Sequence, residues 1–172
     1  MVKFFVGMIF NNLDSMEKAV QELRKLYGES DTLSPVWKFD FTKYYNQEMG
    51  EELYRSFISF KNLIDPDMLP DIKLATNSLE ETFCNPVSGN RSINLDPGYI
   101  TPAKLVLAST KDYTHRIYIG KGIYAEVTLR YQDKKWCFWE WTYPDYKSDN
   151  YIRYFDALRE IYKKQVDSFG IF

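Results

Sequence analysis

Residues 3–10, KFFVGMIF, form an almost unbroken apolar run, which predicts a strand buried on both faces. Asn11 and Asn12 make a turn. Asp14 stands where it can cap a helix, with Glu17 three residues on as its reciprocal partner. Met16, Ala19, Val20, Leu23 and Leu26 then recur at helical spacing and Gly28 supplies a stop, so a helix is expected over 15–27. Over 36–42 the period changes to two. Trp37, Phe39 and Phe41 fall on one side and Lys38, Asp40 and Thr42 on the other, as in a strand with one buried face. Tyr44, Tyr45, Glu48 and Met49, closed by Gly50, read as a loop or a turn of helix, and 53–61 reads as another strand.

Asp65-Pro66 opens a turn before a second amphipathic helix, about 68–83, carried by Ile72, Ala75, Leu79 and Phe83. Asp65, Asp67 and Asp71 near its start suit the helix dipole. After the loop 85–90, a strand over 91–95 is expected to enter a type II turn at Asp96-Pro97-Gly98. Thr101 then caps a short helix with Pro102 in its first position. Strands at 115–119 and 123–131 are joined by Gly120-Lys121-Gly122, and an aromatic strand, WCFWEW, follows at 136–141. Tyr143-Pro144-Asp145-Tyr146 makes a turn, and a closing helix spans about 149–167. The expected class is α+β in a single domain over 1–172. A mainly antiparallel sheet starts with a ferredoxin-like β-α-β-β-α-β order, followed by a short helix, a β-meander and a C-terminal helix.

Composition narrows the picture only slightly. A chain of 172 residues can bury a full core without disulfides. Its formal net charge of −2 argues against nucleic acid or a membrane as a partner. Residues 91–135 nevertheless hold eight Lys or Arg against four Asp or Glu, a local excess that suits an anionic ligand. Cys84 and Cys137 are far apart and lack any C-x-x-C spacing. With no signal peptide and no apolar run long enough to span a bilayer, a cytoplasmic protein without membrane attachment is expected.

Several chemistries lack their residues. There is no G-x-x-x-x-G-K-[ST], no G-x-G-x-x-G and no G-x-S-x-G, and no motif specifies a cofactor. One histidine cannot build a His-rich zinc site or a two-histidine phosphoesterase, and Cys84, Cys137 and His115 lack metal-ligand spacing. What remains is a constellation around the Asp96 turn and the strand at His115. His115 can move a proton near neutral pH, with Asp96 or Asp112 to orient or share it. Arg116, Lys104, Lys111 and Arg91 can hold phosphate or carboxylate, with Asn94 and Glu126 beside them. A second patch comprises Asp40, Thr42, Tyr44, Tyr45 and Glu48. A structural reading stays open beside the functional one: Asp96 can bond turn amides, and Glu126 can pair across the hairpin.

The stretches Arg91-x-x-Asn94-Leu95-Asp96-Pro97-Gly98-Tyr99 and Lys111-Asp112-Tyr113-x-His115-Arg116-Ile117-Tyr118 resemble an uncharacterised prokaryotic domain-of-unknown-function family. So do Phe39-Asp40-Phe41-Thr42 and Thr142-Tyr143-Pro144-Asp145-Tyr146. Members of that family are sometimes labelled GTP-binding proteins, and this chain has none of the loops that cradle nucleotide phosphates. Two functions are therefore expected from different classes. One is a site for a phosphorylated small molecule or nucleotide, in a binding protein or an enzyme. The other is a protein-interaction or homodimer surface built on the aromatic strand containing Trp136, Phe138, Trp139 and Trp141.

Overall fold

The run KFFVGMIF becomes strand β1 (Lys3–Phe10), buried at every position. The structure is a computed structural model that describes residues 1–169. After β1 come α1 (Leu13–Tyr27), β2 (Ser30–Leu33), β3 (Trp37–Lys38), α2 (Asn46–Met49), β4 (Tyr54–Phe60) and α3 (Leu69–Glu81). The second half holds β5 (Ile93–Ile100), β6 (Lys104–Ser109), β7 (Ile117–Gly120), β8 (Ile123–Gln132), β9 (Lys135–Phe138) and α4 (Asp149–Phe169). Single 3₁₀ turns at Pro66–Met68 and Pro144–Lys147 lead into α3 and α4.

All strands join one antiparallel sheet of order β2-β4-β1-β5-β6-β8-β7, with β3 also lying on β4 and β9 on β8. Because β4 separates them and opposes both, β1 and β2 run parallel in a split β-α-β unit. Alternation along β1 feeds two cores. Phe4, Val6, Met8 and Phe10 pack under Met16, Ala19, Val20 and Leu23 of α1 and Ile72 of α3. Phe5 faces the other way, with Phe57, Leu105, Leu129 and Trp136, beneath Tyr151, Phe155 and Leu158 of α4. Each large side chain so buried contributes about 1.5–3 kcal/mol, which is why helices are needed on both faces.

Several local expectations change. Asn12 caps α1, its Oδ1 accepting from the Ser15 amide at 2.8 Å, while Asp14 lies inside the first turn and pairs with Lys18. The alternation over 36–42 yields only the two-residue β3. After one further bond, from the Phe39 amide to the Leu53 carbonyl, the chain leaves the sheet edge. The polar segment SDTL of β2 shows no strand pattern and is held by side chains: Thr32 Oγ1 meets Ser59 Oγ at 2.6 Å and Tyr154 Oη at 2.7 Å. The aromatic strand ends at Phe138, where Trp139 to Trp141 turn back and the Trp139 amide donates to Thr142 Oγ1.

The largest change is at Asp96-Pro97-Gly98. No turn forms there and no helix follows. Strand β5 runs straight through, its eight residues pairing with β1, and Thr101 to Ala103 make the turn into β6. Gly98 is required for close approach and not for positive φ. A Cβ on it would sit 2.5 Å from the Val106 carbonyl oxygen and 2.9 Å from the Phe5 ring. Gly98→Ala should therefore lower stability by roughly 1–3 kcal/mol through overpacking, seen as a lower urea midpoint with an unchanged m-value.

Candidate functional site

Strands β5 and β6 pair only from Gly98–Leu107 to Ile100–Leu105, then separate. Two features account for the parting. The period of two along a strand puts the amide of Pro97 on the same side as that of Leu95, and proline has no hydrogen to donate there. At Leu95 itself, α3 takes the place of a neighbouring strand. The Leu95 amide donates to Glu80 Oε1 at 2.6 Å, and Lys73 Nζ donates to the Leu95 carbonyl at 2.9 Å. Lys73, Asn77 and Glu80 follow helical spacing and form a polar stripe on α3 beside its apolar one.

The gap opens into a cavity of about 630 Å³, a size suited to small organic ligands. Its floor carries Lys73, Asn77 and Glu80 from α3 and Asn94 and Asp96 from β5, with Arg55 from β4 beside them. One wall is Leu107 to Lys111 with Arg116 and Glu126. The opposite wall is Phe39, Phe41, Thr42, Tyr44 and Tyr45, and Tyr143 to Tyr146 close the end. Aromatic faces thus surround a charged base.

The charges alternate in sign. Arg91 makes a two-point contact with Glu48, at 2.7 and 2.9 Å, and reaches Glu80 at 2.5 Å. Arg55 donates to Asp96 Oδ2 at 3.2 Å and to Asp145 Oδ2 at 3.1 Å, with its guanidinium 5.1–5.9 Å from the ring centres of Phe39, Phe57, Tyr146 and Tyr151. Gly7 leaves room for it: a Cβ there would lie 3.1 Å from Arg55 Nη1.

Environment drives the carboxyls apart. Burial works to raise the pKa of Asp96, but Lys73 and Arg55 outweigh it and hold it below its ordinary value. Burial wins at Asp145, which lies above its ordinary value despite Arg55, and at Glu80 despite Lys73 and Arg91. Burial also raises the phenols of Tyr45 and Tyr143.

Arg116 is almost saturated by protein. Its Nε donates to Glu126 Oε2 at 2.8 Å, Nη1 to Ser109 Oγ and the Lys111 carbonyl, and Nη2 to Tyr143 Oη at 2.6 Å. His115 Nε2 lies 3.0 Å from the same Glu126 oxygen, while Thr128 donates to the other. The imidazole stacks on Trp141 at 4.9 Å, and Trp141 on Trp139 at 5.0 Å. Arg116 and Glu126 thus fix the loop 109–116 as cavity wall, with His115 behind it.

Of the residues expected from sequence, Arg91, Asn94, Asp96, Lys111, Arg116, Glu126 and Tyr45 line this one cavity. His115 does not line it and lies behind Glu126 and Tyr113, which do. Lys104 begins β6 at the opposite end, across from Arg130, and is exposed. Asp112 and Asp40 are exposed too, away from the cavity wall. Sequence reasoning missed Arg55, Lys73, Glu80 and Asp145. Signals were present for three of them: Arg55 as the lone charged residue in the strand YRSFISF, and Lys73 and Glu80 at helical spacing with Thr76 between them. Among the described residues no three His, Cys, Asp or Glu side chains converge as metal ligands, and no helix is long and apolar enough to cross a membrane.

Fold and cavity together define an α+β domain whose antiparallel sheet is parted to admit a polar cavity. The chain belongs to the family described as a domain of unknown function, DUF4416, whose model matches residues 1–162. No curated protein and no solved structure matches it.

Two sets of measurements probe this arrangement. Arg116→Met should cost about 3–5 kcal/mol, because Glu126 is left buried without its cation, and adding Glu126→Gln should recover part of that loss. Equal destabilisation by the single and double variants in urea titrations would refute the pairing. The second set is a pH series. The lowered pKa of Asp96 adds stability above its unfolded value of about 3.9, lost as pH falls through the lower folded value. The raised pKa of Asp145 adds stability below about 3.9, lost as pH rises through the higher folded value. The stability gap between the parent and Asp96→Asn should therefore widen with rising pH in the acid range, and that for Asp145→Asn should narrow above about pH 4.

Proposed function

We propose that this protein binds a small, polar organic molecule in the cavity between β5 and β6, with an anionic group of the ligand at Lys111. One observation carries the reading: a buried ammonium on the floor, Lys73, keeps hydrogens open to the cavity. Lys73 is buried, yet its ammonium has one hydrogen-bond acceptor, the Leu95 carbonyl, and Asp96 stands beyond hydrogen-bond reach at 3.8 Å. Asn94 is also buried, but its Nδ2 is enclosed and its side chain acts on the Asp96 carboxylate, so the open donor is Lys73. Buried donors are normally paired, so open ones in a cavity favour a ligand rich in acceptors.

Lys111 supports the placement of the anion. Every other Lys or Arg lining the cavity lies within 4.0 Å of a carboxylate. Among the described residues that line it, Lys111 makes no such pair and rests on the Tyr44 ring at 4.2 Å, with its Nζ 2.7 Å from Tyr44 Oη. A phosphate or carboxylate entering at the mouth meets that charge first, and the flat part of the ligand lies against Tyr44, Tyr45 and Tyr113. The polar end then reaches the floor. This arrangement is sufficient for binding, and a chemical step is not required by it.

A thermal-shift screen of nucleotides and phosphorylated metabolites tests the reading. A true ligand at about 100 times its Kd should stabilise by about 2.7 kcal/mol, raising Tm by roughly 5–10 °C. Lys111→Ala should weaken that hit about tenfold or more, and filling the cavity with Ala108→Trp should abolish it. A screen without a hit, or a hit that survives Ala108→Trp in a folded protein, would remove this function.

A further inference from the structure

Resting on the cavity-binding reading above, we infer that the ligand presents a pair of neighbouring hydroxyls on a sugar ring to Asp96. The argument starts from the two oxygens of that carboxylate. Oδ2 accepts from Arg55 at 3.2 Å, whereas the nearest cation to Oδ1 is Lys73 Nζ at 3.8 Å, too far for a hydrogen bond. The side chain is 25% exposed and Asp96 lines the cavity, so the carboxylate keeps lone pairs for whatever enters, with the Asn94 side chain also acting on it. Beside it stands one donor with hydrogens to spare, Lys73, while Asn94 Nδ2 is enclosed and its side chain already favours the Asp96 carboxylate.

Charge decides which group fits between them. Two cations, Arg55 and Lys73, already flank the carboxylate, so an incoming amine would be repelled by both. A second carboxylate or a phosphate placed against Oδ1 would meet the ionised Asp96 directly. A neutral hydroxyl escapes both penalties: it donates to Oδ1 and accepts from Lys73 in the same position. Two hydroxyls on adjacent carbons share the two lone-pair-bearing oxygens of one carboxylate, and one of them also accepts from Lys73. The ring of Tyr45 lines the same cavity and offers a face to the C–H side of a sugar ring. With Lys111 at the mouth, the ligand class is a phosphorylated sugar bearing a vicinal diol, either free or as the ribose of a nucleotide.

Calorimetric titration of the full chain with two matched pairs tests this. One pair is ribose 5-phosphate and 2-deoxyribose 5-phosphate; the other is a ribonucleoside 5′-monophosphate and its 2′-deoxy counterpart. The diol member of at least one pair should bind about ten- to hundredfold more tightly than its deoxy partner, and the pair that responds identifies the source of the sugar. In Asp96→Asn the difference within the pair should shrink to less than about threefold. The comparison between ligands needs no variant, so it stands even if Asp96→Asn folds poorly. Equal binding within both pairs, abolished by Ala108→Trp, would overturn the diol and leave the cavity reading intact. No binding by any of the four overturns the diol, and binding that survives Ala108→Trp overturns both.

Discussion

The backbone of Leu95 governs this structure. A residue in the middle of a sheet must satisfy an amide and a carbonyl on each side, and leaving one buried and unpaired costs about 1–3 kcal/mol. Strand β6 cannot serve Leu95, because the ladder fails at Pro97. Two side chains from α3 serve it instead, Glu80 on the amide and Lys73 on the carbonyl. The helix therefore does more than cover an apolar face: it completes the hydrogen bonding of a sheet that has been parted. The cavity is the space that this substitution leaves above α3.

Everything charged in the cavity follows from placing Glu80 and Lys73 inside the protein. A buried carboxylate needs a cation, and Arg91 supplies one while binding Glu48 at the far side. A buried ammonium needs an anion nearby, and Asp96 is the closest, itself held by Arg55, which Asp145 completes. The result is a line of alternating charge from Glu48 to Asp145. Such a line is costly to desolvate and contributes little net stability, but removing any one member leaves its neighbour exposed to the full penalty of burial. Networks of this kind hold side chains in one arrangement, which is what a recognition surface requires.

The class, the antiparallel sheet and the long helices were legible in the sequence, because continuous apolar runs and helical spacing report directly on burial. Strand β5 was misread for a physical reason. Asp-Pro-Gly is turn chemistry in isolation, and only the register with β1 and the contact of Gly98 with Val106 show that the same three residues can lie extended. Glycine here serves close packing, a use that leaves no local trace. The site was legible in part. Asp96, Asn94, Arg91, Lys111, Arg116 and Glu126 were singled out because they cluster in sequence, whereas Arg55, Lys73, Glu80 and Asp145 reach the cavity through tertiary packing. A charged residue on the buried face of an element was the available warning, most plainly Arg55 among the aromatics of β4.

The floor and the rim of the cavity are held by different means, and the difference sets which part opens at least cost. The floor is bolted by buried pairs and by bonds to strand backbone. The rim comprises the segment Phe39–Tyr45 and the loop 109–116. The loop is secured by Arg116, with three partners beyond Glu126. The segment is anchored at its ends, by Phe39 on Leu53 and by Glu48 on Arg91, yet between them it meets the loop through Lys111 and Tyr44, both solvent-exposed. Exposed contacts of that kind are worth about 1 kcal/mol or less, against several for the buried pairs below. The contact between Tyr44 and Lys111 is therefore the part of the rim that opens at least cost, whereas parting the floor would strand a buried charge.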